Sequence, residues 1–250
     1  MPPVNALLSI WTWTEIGVVA LLGFLLQVPV FLVTWPFDRR RVVAGRVFRG
    51  VGVVASRLTP FWHFGVEGPV PRTVAGRTVV VSNHESQVDP FLISYLPWEM
   101  KWLGKASLFR IPVVGWMMRI AGDVPVHRGD SASGKGAMAV CARWLARGVP
   151  VMIFPEGTRS LDGSLLPFKD GAFRLAIETG ADMLPIAVRG THDALPKYSW
   201  RFHRAEARVT VGTPLSTRGL TLADLETLKA SARREIEALR DRLRGRAGPR

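Results

Sequence analysis

TVVVSNHESQVDPF, residues 78–91, decides the fold class. Thr78–Ser82 is a short β-branched run without polar alternation, the pattern of a strand buried on both faces. It stops at Asn83-His84. A few residues later Asp89-Pro90 opens a helix over Pro90–Leu96, with Pro90 at the first helical position and Asp89 as candidate N-cap. A buried strand that hands over to a helix through a polar turn belongs to an α/β chain. The turn also sets a histidine and a carboxylate at the mouth of the strand.

The same alternation continues along the chain. Helix is expected in the second half of Ser107–Ala121, because Pro112 cannot sit deep inside one. Two more follow: Ser131–Arg147, closed by Gly148, and Asp170–Thr179, closed by Gly180. Strands are expected at Asp123–His127, Val149–Phe154, Leu184–Val188 and Ala207–Val211. These elements make a single α/β domain with a mixed, largely parallel central sheet flanked by helices. From Thr221 onward, Leu222, Leu225, Leu228, Ala232, Ile236, Leu239 and Leu243 recur at helical spacing, with arginines opposite. That amphipathic helix either packs on the core or lies on a membrane. No internal repeat or long linker divides the chain.

The 250 residues are 48% hydrophobic, carry a formal charge of +13 and include nine Trp. Such a charge suggests an anionic partner: nucleic acid, an anionic membrane surface or a phosphorylated substrate. Tryptophan beside arginine favours the membrane interface. Ile16–Trp35 is twenty residues without a formal charge, about 30 Å as a helix and long enough to span a bilayer. It does not read as a secretory signal peptide, because Lys and Arg are absent before Arg39 and no small-residue cleavage site follows. A buried core helix is the remaining alternative to an anchor. Arg39, Arg40, Arg41, Arg46 and Arg49 come next, which places the rest of the chain on the cytoplasmic face of a cell membrane. Residues 5–13 are apolar too, separated by Thr14-Glu15, so a single span and a helical hairpin dipping into one leaflet both fit. The expected organisation is a membrane-anchoring helical segment, 1–38, and a catalytic domain, 39–250. Lys197–Arg204 (KYSWRFHR) interleaves basic and aromatic residues as an interfacial patch does. Single-stranded nucleic-acid binders use the same residue types, but no nucleic-acid motif accompanies the patch, so nucleic acid is not an expected partner.

A histidine braced by a carboxylate is what a general base needs. One ring nitrogen faces the substrate while the carboxylate fixes the tautomer and stabilises the imidazolium. A zinc-protease reading of His84-Glu85 fails, since the second histidine would have to stand where Val88 is. Cys141 is the only cysteine and the five histidines are scattered, so no metal is expected. After the second strong strand comes FPEGTRS, Phe154–Ser160. Its glycine lets a backbone approach a ligand closely, and Arg159 can grip a phosphate with two nitrogens.

Together these blocks resemble the glycerolipid acyltransferase family over roughly residues 75–192. NHESQVDP resembles the family's first block through Asn83, His84 and Asp89. GDVPVHR resembles the second through Gly122 and Arg128, with His127 where an acidic residue is common. FPEGTRS, followed by PFKDGAF with Lys169 and Gly171, resembles the third, and LPIAVRG, with Pro185, the fourth. LGKASLFRIPVVG puts Lys105 where the family has a substrate-facing lysine. The resemblance implies transfer of a fatty acyl group from a thioester, on coenzyme A or acyl carrier protein, to the sn-2 hydroxyl of lysophosphatidic acid, giving phosphatidic acid. No other cofactor is implied. His84 would be the base and Asp89 its orienting acid. Arg128 and Arg159 would bind the acceptor phosphate, and Glu156 would hold a glycerol hydroxyl or position Arg159. Backbone N–H groups near Gly157, with Lys105, would meet the oxyanion, and Thr158 of the same turn is counted among the substrate-binding residues. Trp98, Trp102, Phe109, Trp116, Met117 and Met118 could line an acyl tunnel or simply pack the core. Two alternatives remain: acylation of another lyso-lipid, such as a lyso-ornithine lipid, and a non-catalytic membrane-binding protein, which intact His84 and Asp89 disfavour.

Overall fold

The computed structural model describes residues 6–246. Residues 1–5 of the expected anchor and 247–250 of the expected catalytic segment lie outside the described residues.

Seven strands form one sheet in the order β1-β7-β6-β2-β5-β3-β4. They are β1 (Trp62–Glu67), β2 (Thr78–Ser82), β3 (Lys101–Lys105), β4 (Val124–Val126), β5 (Val151–Ile153), β6 (Asp182–Arg189) and β7 (Ala205–Val211). Neighbours run parallel except β6 and β7, so the sheet is mixed and largely parallel, as expected. β2 is flanked by β5 and β6, with Val79 level with Val151 on one side and Met183 on the other. All five β2 residues are buried, which is why the run lacks polar alternation. β1 and β3 add to the strands expected from sequence.

Among the described residues eight α-helices accompany the sheet: α1 (Ala6–Thr34), α2 (Val42–Leu58), α3 (Asp89–Ile93), α4 (Val114–Ala121), α5 (Ser131–Ala146), α6 (Gly171–Thr179), α7 (Thr191–Ala194) and α8 (Leu225–Arg246). α5, α6 and α8 cover one face, meeting Val79, Val81 and Val151. Asp130 caps α5 through Ser133 N at 3.0 Å, and Gly148 follows its end at φ 72°, where glycine avoids the Cβ clash. α8 buries Leu225, Leu228, Ala232, Ile236 and Leu239 in this core, at about 1.5–3 kcal/mol for each large side chain. Core packing is thus its actual role. On the other face Leu92, Ile93 and Leu96 pack with Val80, Met152 and Ile186, and Trp98 and Trp102 join them as core residues.

α1 runs unbroken through Thr14-Glu15, so no hairpin forms there. The chain reverses later, after Thr34, and returns as α2, which the sequence pattern did not reveal. The side of α2 that packs inward is small: Ala44, Gly45, Gly52, Ala55 and Ser56 are buried. A Cβ on Gly52 would stand 3.2 Å from Phe91 Cα, and one on Gly45 would collide with the Glu99 carboxylate. Close approach, not a large apolar stripe, holds this helix. α1 is arranged the opposite way to a soluble amphipathic helix. Its buried residues are Ser9, Thr12, Ala20 and Gln27, while Leu21, Leu22, Leu25, Leu26, Leu32 and Val33 face outward. Gln27 Nε2 donates to the carbonyls of Ala44 and Met117, pinning α1 to α2 and α4.

Arg49 departs from its expected place among the cations of a membrane face. Its side chain is 11% exposed, ion-paired to Asp123 and 3.8 Å from Glu99. Lys101, fully buried, donates to Glu99 Oε1 and to the Arg41 carbonyl, both at 3.0 Å. Four charged side chains are therefore sealed between α2 and the N-terminal ends of β3 and β4.

Candidate active site

Ligand sites in open α/β sheets form beyond the carboxyl ends of the strands. Here β2, β5 and β6 deliver His84, the FPEGTRS turn and Gly190-Thr191 to that edge. The His84 and FPEGTRS blocks are joined through their backbones, since Ser160 N donates to the His84 carbonyl at 2.9 Å. Asn83 explains its own presence: its amide donates to the Val188 carbonyl and accepts from Val188 N, both at 2.9 Å. A side chain thus continues the β2–β6 ladder one step beyond the strand and fixes where His84 begins.

His84 Nδ1 lies 2.7 Å from Asp89 Oδ2. The imidazole stacks on Phe154, ring centroids 4.0 Å apart. With Nδ1 engaged, Nε2 has no protein partner among the described residues, and the side chain keeps 10% of its surface exposed. Asp89 is not the helix cap it was expected to be. Val88 holds the cap position, and Asp89 Oδ2 turns back to accept from Glu85 N at 2.8 Å and Ser86 N at 3.0 Å. Three donors converge on one oxygen, so the carboxylate that orients His84 also folds the loop between them. Its spacing is explained by that loop rather than by α3.

Glu156 departs from its expected role. Oε1 accepts from His84 N at 2.8 Å and Oε2 from Leu166 N at 3.1 Å, and the residue is buried. Both oxygens accept from backbone, and Glu156 makes no ion pair with Arg159 among the described residues. Burial pushes its carboxyl up to about 7, against the pull of those two donors. Gly157 adopts φ 67°, and a Cβ there would meet the Lys169 side chain at 2.9 Å. Its N–H, expected for an oxyanion, instead donates to the Phe154 carbonyl at 3.1 Å and closes the turn. Thr158 Oγ1 accepts from Lys197 Nζ at 3.4 Å, and the Arg159 carbonyl accepts from the same ammonium at 2.9 Å.

Arg159 is half-buried. Partial desolvation holds its guanidinium below the usual value, while Asp89 and Tyr198 pull it upward. Arg128, two residues past β4, reaches solvent, yet desolvation and then repulsion from Arg159 lower its pKa. The two arginines therefore share one region without neutralising each other, the electrostatic condition of an anion site. Lys105 is exposed at the C-terminal end of β3, level with Val126, and makes no ion pair among the described residues.

Several site residues escaped sequence reasoning. Glu85 is buried, with Oε2 accepting from Gly190 N at 3.1 Å and Oε1 3.5 Å from Arg240 of α8. Burial and the Asp89 charge push its carboxyl up to about 7, opposed by Arg240 and Arg189. Lys197 and Phe154 complete the frame. Only the apolar periodicity of α8 was legible; that one of its arginines points inward was not. Of the tunnel candidates, Phe109, Met117 and Met118 are buried, while Trp116 is half exposed on α4 against Phe24 of α1. No cluster of His, Cys, Asp and Glu suited to a metal occurs among the described residues.

A braced histidine at the strand ends, with Arg128 and Arg159 in one region and without ion pairs among the described residues, is an arrangement suited to base chemistry on an anionic ligand. Residues 63–189 match the Acyltransferase family, and the chain belongs to it. It is 35% identical over 182 residues to a 1-acyl-sn-glycerol-3-phosphate acyltransferase of Chlamydomonas reinhardtii, covering 70% of this chain and 54% of that one. The chain thus spans about half the length of that algal relative. With the Haemophilus influenzae 1-acyl-sn-glycerol-3-phosphate acyltransferase it shares 30% over 188 residues, covering 72% and 77%. The crystal structure of the 1-acyl-sn-glycerophosphate acyltransferase from Thermotoga maritima superposes with a TM-score of 0.78 at 26% identity, over 98% of both chains.

Proposed function

We propose that the protein transfers a fatty acyl group from an acyl thioester to the sn-2 hydroxyl of lysophosphatidic acid. The carrying observation is the 2.7 Å His84–Asp89 contact beside Arg128 and Arg159. Nδ1 is engaged by Asp89, so Nε2 is the atom that takes the hydroxyl proton as the oxygen attacks the thioester carbonyl. The tetrahedral oxyanion collapses, the carbon–sulfur bond breaks, and His84 returns the proton to the departing sulfur, which leaves as the thiol. Asp89 stabilises the imidazolium between these events. With the Gly157 N–H committed to its turn, Lys105 is the remaining named side chain for the oxyanion. Arg128 and Arg159 hold the acceptor phosphate, and Glu156 acts as a positioning residue by gripping His84 N. The reaction as written needs no cofactor beyond the thioester, on coenzyme A or acyl carrier protein.

The division into an anchor, 1–38, and a catalytic segment, 39–250, goes with a membrane location. α1 is long and apolar enough to cross a bilayer by length and composition. It is also docked from Ser9, which accepts from Phe202 N, to Gln27, about 27 Å of helix. That is nearly the whole hydrocarbon thickness of about 30 Å, and a helix held against a charged domain over that length cannot also stand across the bilayer. We therefore read α1 as lying in one leaflet, its leucines in lipid and Tyr198 and Trp200 at the interface. The arginines after α1 favour the cytoplasmic face.

Thioester consumption with and without lysophosphatidate tests the reading. Turnover that requires lysophosphatidate supports it; turnover only with another lyso-lipid, or none with any acceptor, overturns it.

A further inference from the structure

A cleft of 650 Å³ opens at the N-terminal ends of the parallel strands, lined by Trp35, Arg39, Arg40, Arg41, Arg77, Arg147 and Gly148, with Ala146 beside them. Arg77 precedes β2 and Gly148 precedes β5, so the cleft lies at the opposite edge of the sheet from His84. Seven residue steps, most of them along β2, separate Arg77 from His84, about 23 Å. A lysophosphatidate whose hydroxyl reacts at His84 carries its phosphate only a glycerol unit away, so it cannot also place that phosphate here.

None of the five arginines forms an ion pair with a carboxylate among the described residues. Asp38, the nearest acid in sequence, is taken by Val43 N at 2.7 Å, so it serves the N-terminus of α2 instead. Arg41 is held in place from several sides. It stands at φ 54°, its carbonyl accepts from Lys101 Nζ, its guanidinium donates to the Arg119 carbonyl at 2.9 Å, and it lies over Trp35 and Phe31. Burial and the neighbouring Arg147 lower its pKa. Arg39 also lies over Trp35. A fixed Arg41 with four exposed arginines around the same cleft, Arg147 repelling it, is stabilised by an anion with several equivalent oxygens. A zwitterionic headgroup would bring an ammonium into the same field. Trp35 lines the cleft at the end of α1, next to the outward-facing Leu32, Val33 and Phe37, so apolar tails have a surface to follow from the same position.

We propose that this cleft is a second phosphomonoester site, which binds the headgroup of a bilayer lipid of the phosphatidate type. It would hold the protein on membranes rich in that lipid, independently of the chemistry at His84. The test is sedimentation with phosphatidylcholine vesicles carrying either phosphatidate or, at matched surface charge, phosphatidylserine. Wild type should bind the phosphatidate vesicles about tenfold more tightly, and Arg40→Gln/Arg77→Gln/Arg147→Gln should lose that preference. Arg234→Gln/Arg242→Gln/Arg244→Gln, which removes the same charge from α8, should retain it. Both triple variants should keep wild-type turnover in detergent, which shows that they fold. Equal losses in the two variants would mean diffuse attraction and overturn the site. Titration with glycerol 3-phosphate separates the sources: saturable binding as tight as phosphatidate's, lost in the first variant, would make the ligand soluble and overturn the lipid assignment.

Discussion

Two groups of buried charges sit at opposite edges of the same largely parallel sheet, one beyond the carboxyl ends of its strands and one at the amino ends. At the carboxyl ends, Asp89 is fully buried and accepts from two backbone N–H groups and from His84. At the amino ends, Asp123 is nearly as buried and accepts from Trp102 N at 2.9 Å and from Arg49. Each aspartate has one satisfied oxygen and one without a partner. The difference lies in the partner. Arg49 spends its charge on Asp123, on the Met100 carbonyl and near Glu99, and is itself roofed by Trp102 and Phe48. His84 returns one nitrogen to its acid and keeps the other uncommitted. Neither burial of charge nor an unpartnered atom therefore marks a site by itself, since Arg49 Nε has no hydrogen-bond partner among the described residues either; an uncommitted nitrogen that can take up a proton does.

Substitutions at the two aspartates should separate those roles. Asp89→Asn leaves the two backbone donors an acceptor but changes what His84 Nδ1 faces. It should lower kcat by about 10²–10⁴-fold, read in steady state, with the unfolding midpoint little changed. Asp123→Ala leaves Arg49 buried without its hydrogen-bonded counter-charge, with Glu99 3.8 Å away. It should cost about 3–5 kcal/mol of stability, read by denaturant unfolding, while turnover per folded molecule stays near wild type. If both variants lost activity and stability alike, the division between the two ends would fail.

Arg159→Ala should raise the acceptor KM about tenfold or more and the thioester KM little, since Arg159 is assigned to the acceptor's phosphomonoester. The opposite pattern would assign Arg159 to the donor. The smallest effect concerns Glu85, whose carboxyl is pushed by burial up to about 7 from the ordinary 4.5. Between those values the native protein holds a proton that the unfolded chain has released. This contribution to stability is therefore full below about 4.5 and is lost as pH rises through about 7. Glu85→Gln should flatten the fall, seen in urea midpoints across that interval; an unchanged slope would show that Glu85 does not titrate there.

The strand–turn–helix pattern around β2, the helices α5 and α6 and the strands on either side of β2 were legible because burial on two faces and glycine stops leave direct marks in sequence. α2 was not, because its packing side is Ala44, Gly45, Gly52, Ala55 and Ser56, and small residues carry no apolar signal. The His84–Asp89 pair was legible as a motif, but the reason for its spacing was not: it comes from the backbone N–H groups of Glu85 and Ser86. The roles of Glu156 and the Gly157 N–H were misplaced for a related reason. Motif residues were read as facing a ligand, whereas the turn needs those groups to close on itself. Glu85 and Arg240 meet across 155 positions, a separation that local pattern cannot bridge.

The most direct test is acyl transfer by purified His84→Ala, measured in a single turnover with lysophosphatidate and an acyl thioester, on protein whose unfolding midpoint matches wild type. The account predicts a loss of at least about 100-fold in rate. A rate within about twofold of wild type, a cost of well under 1 kcal/mol in barrier, would contradict it.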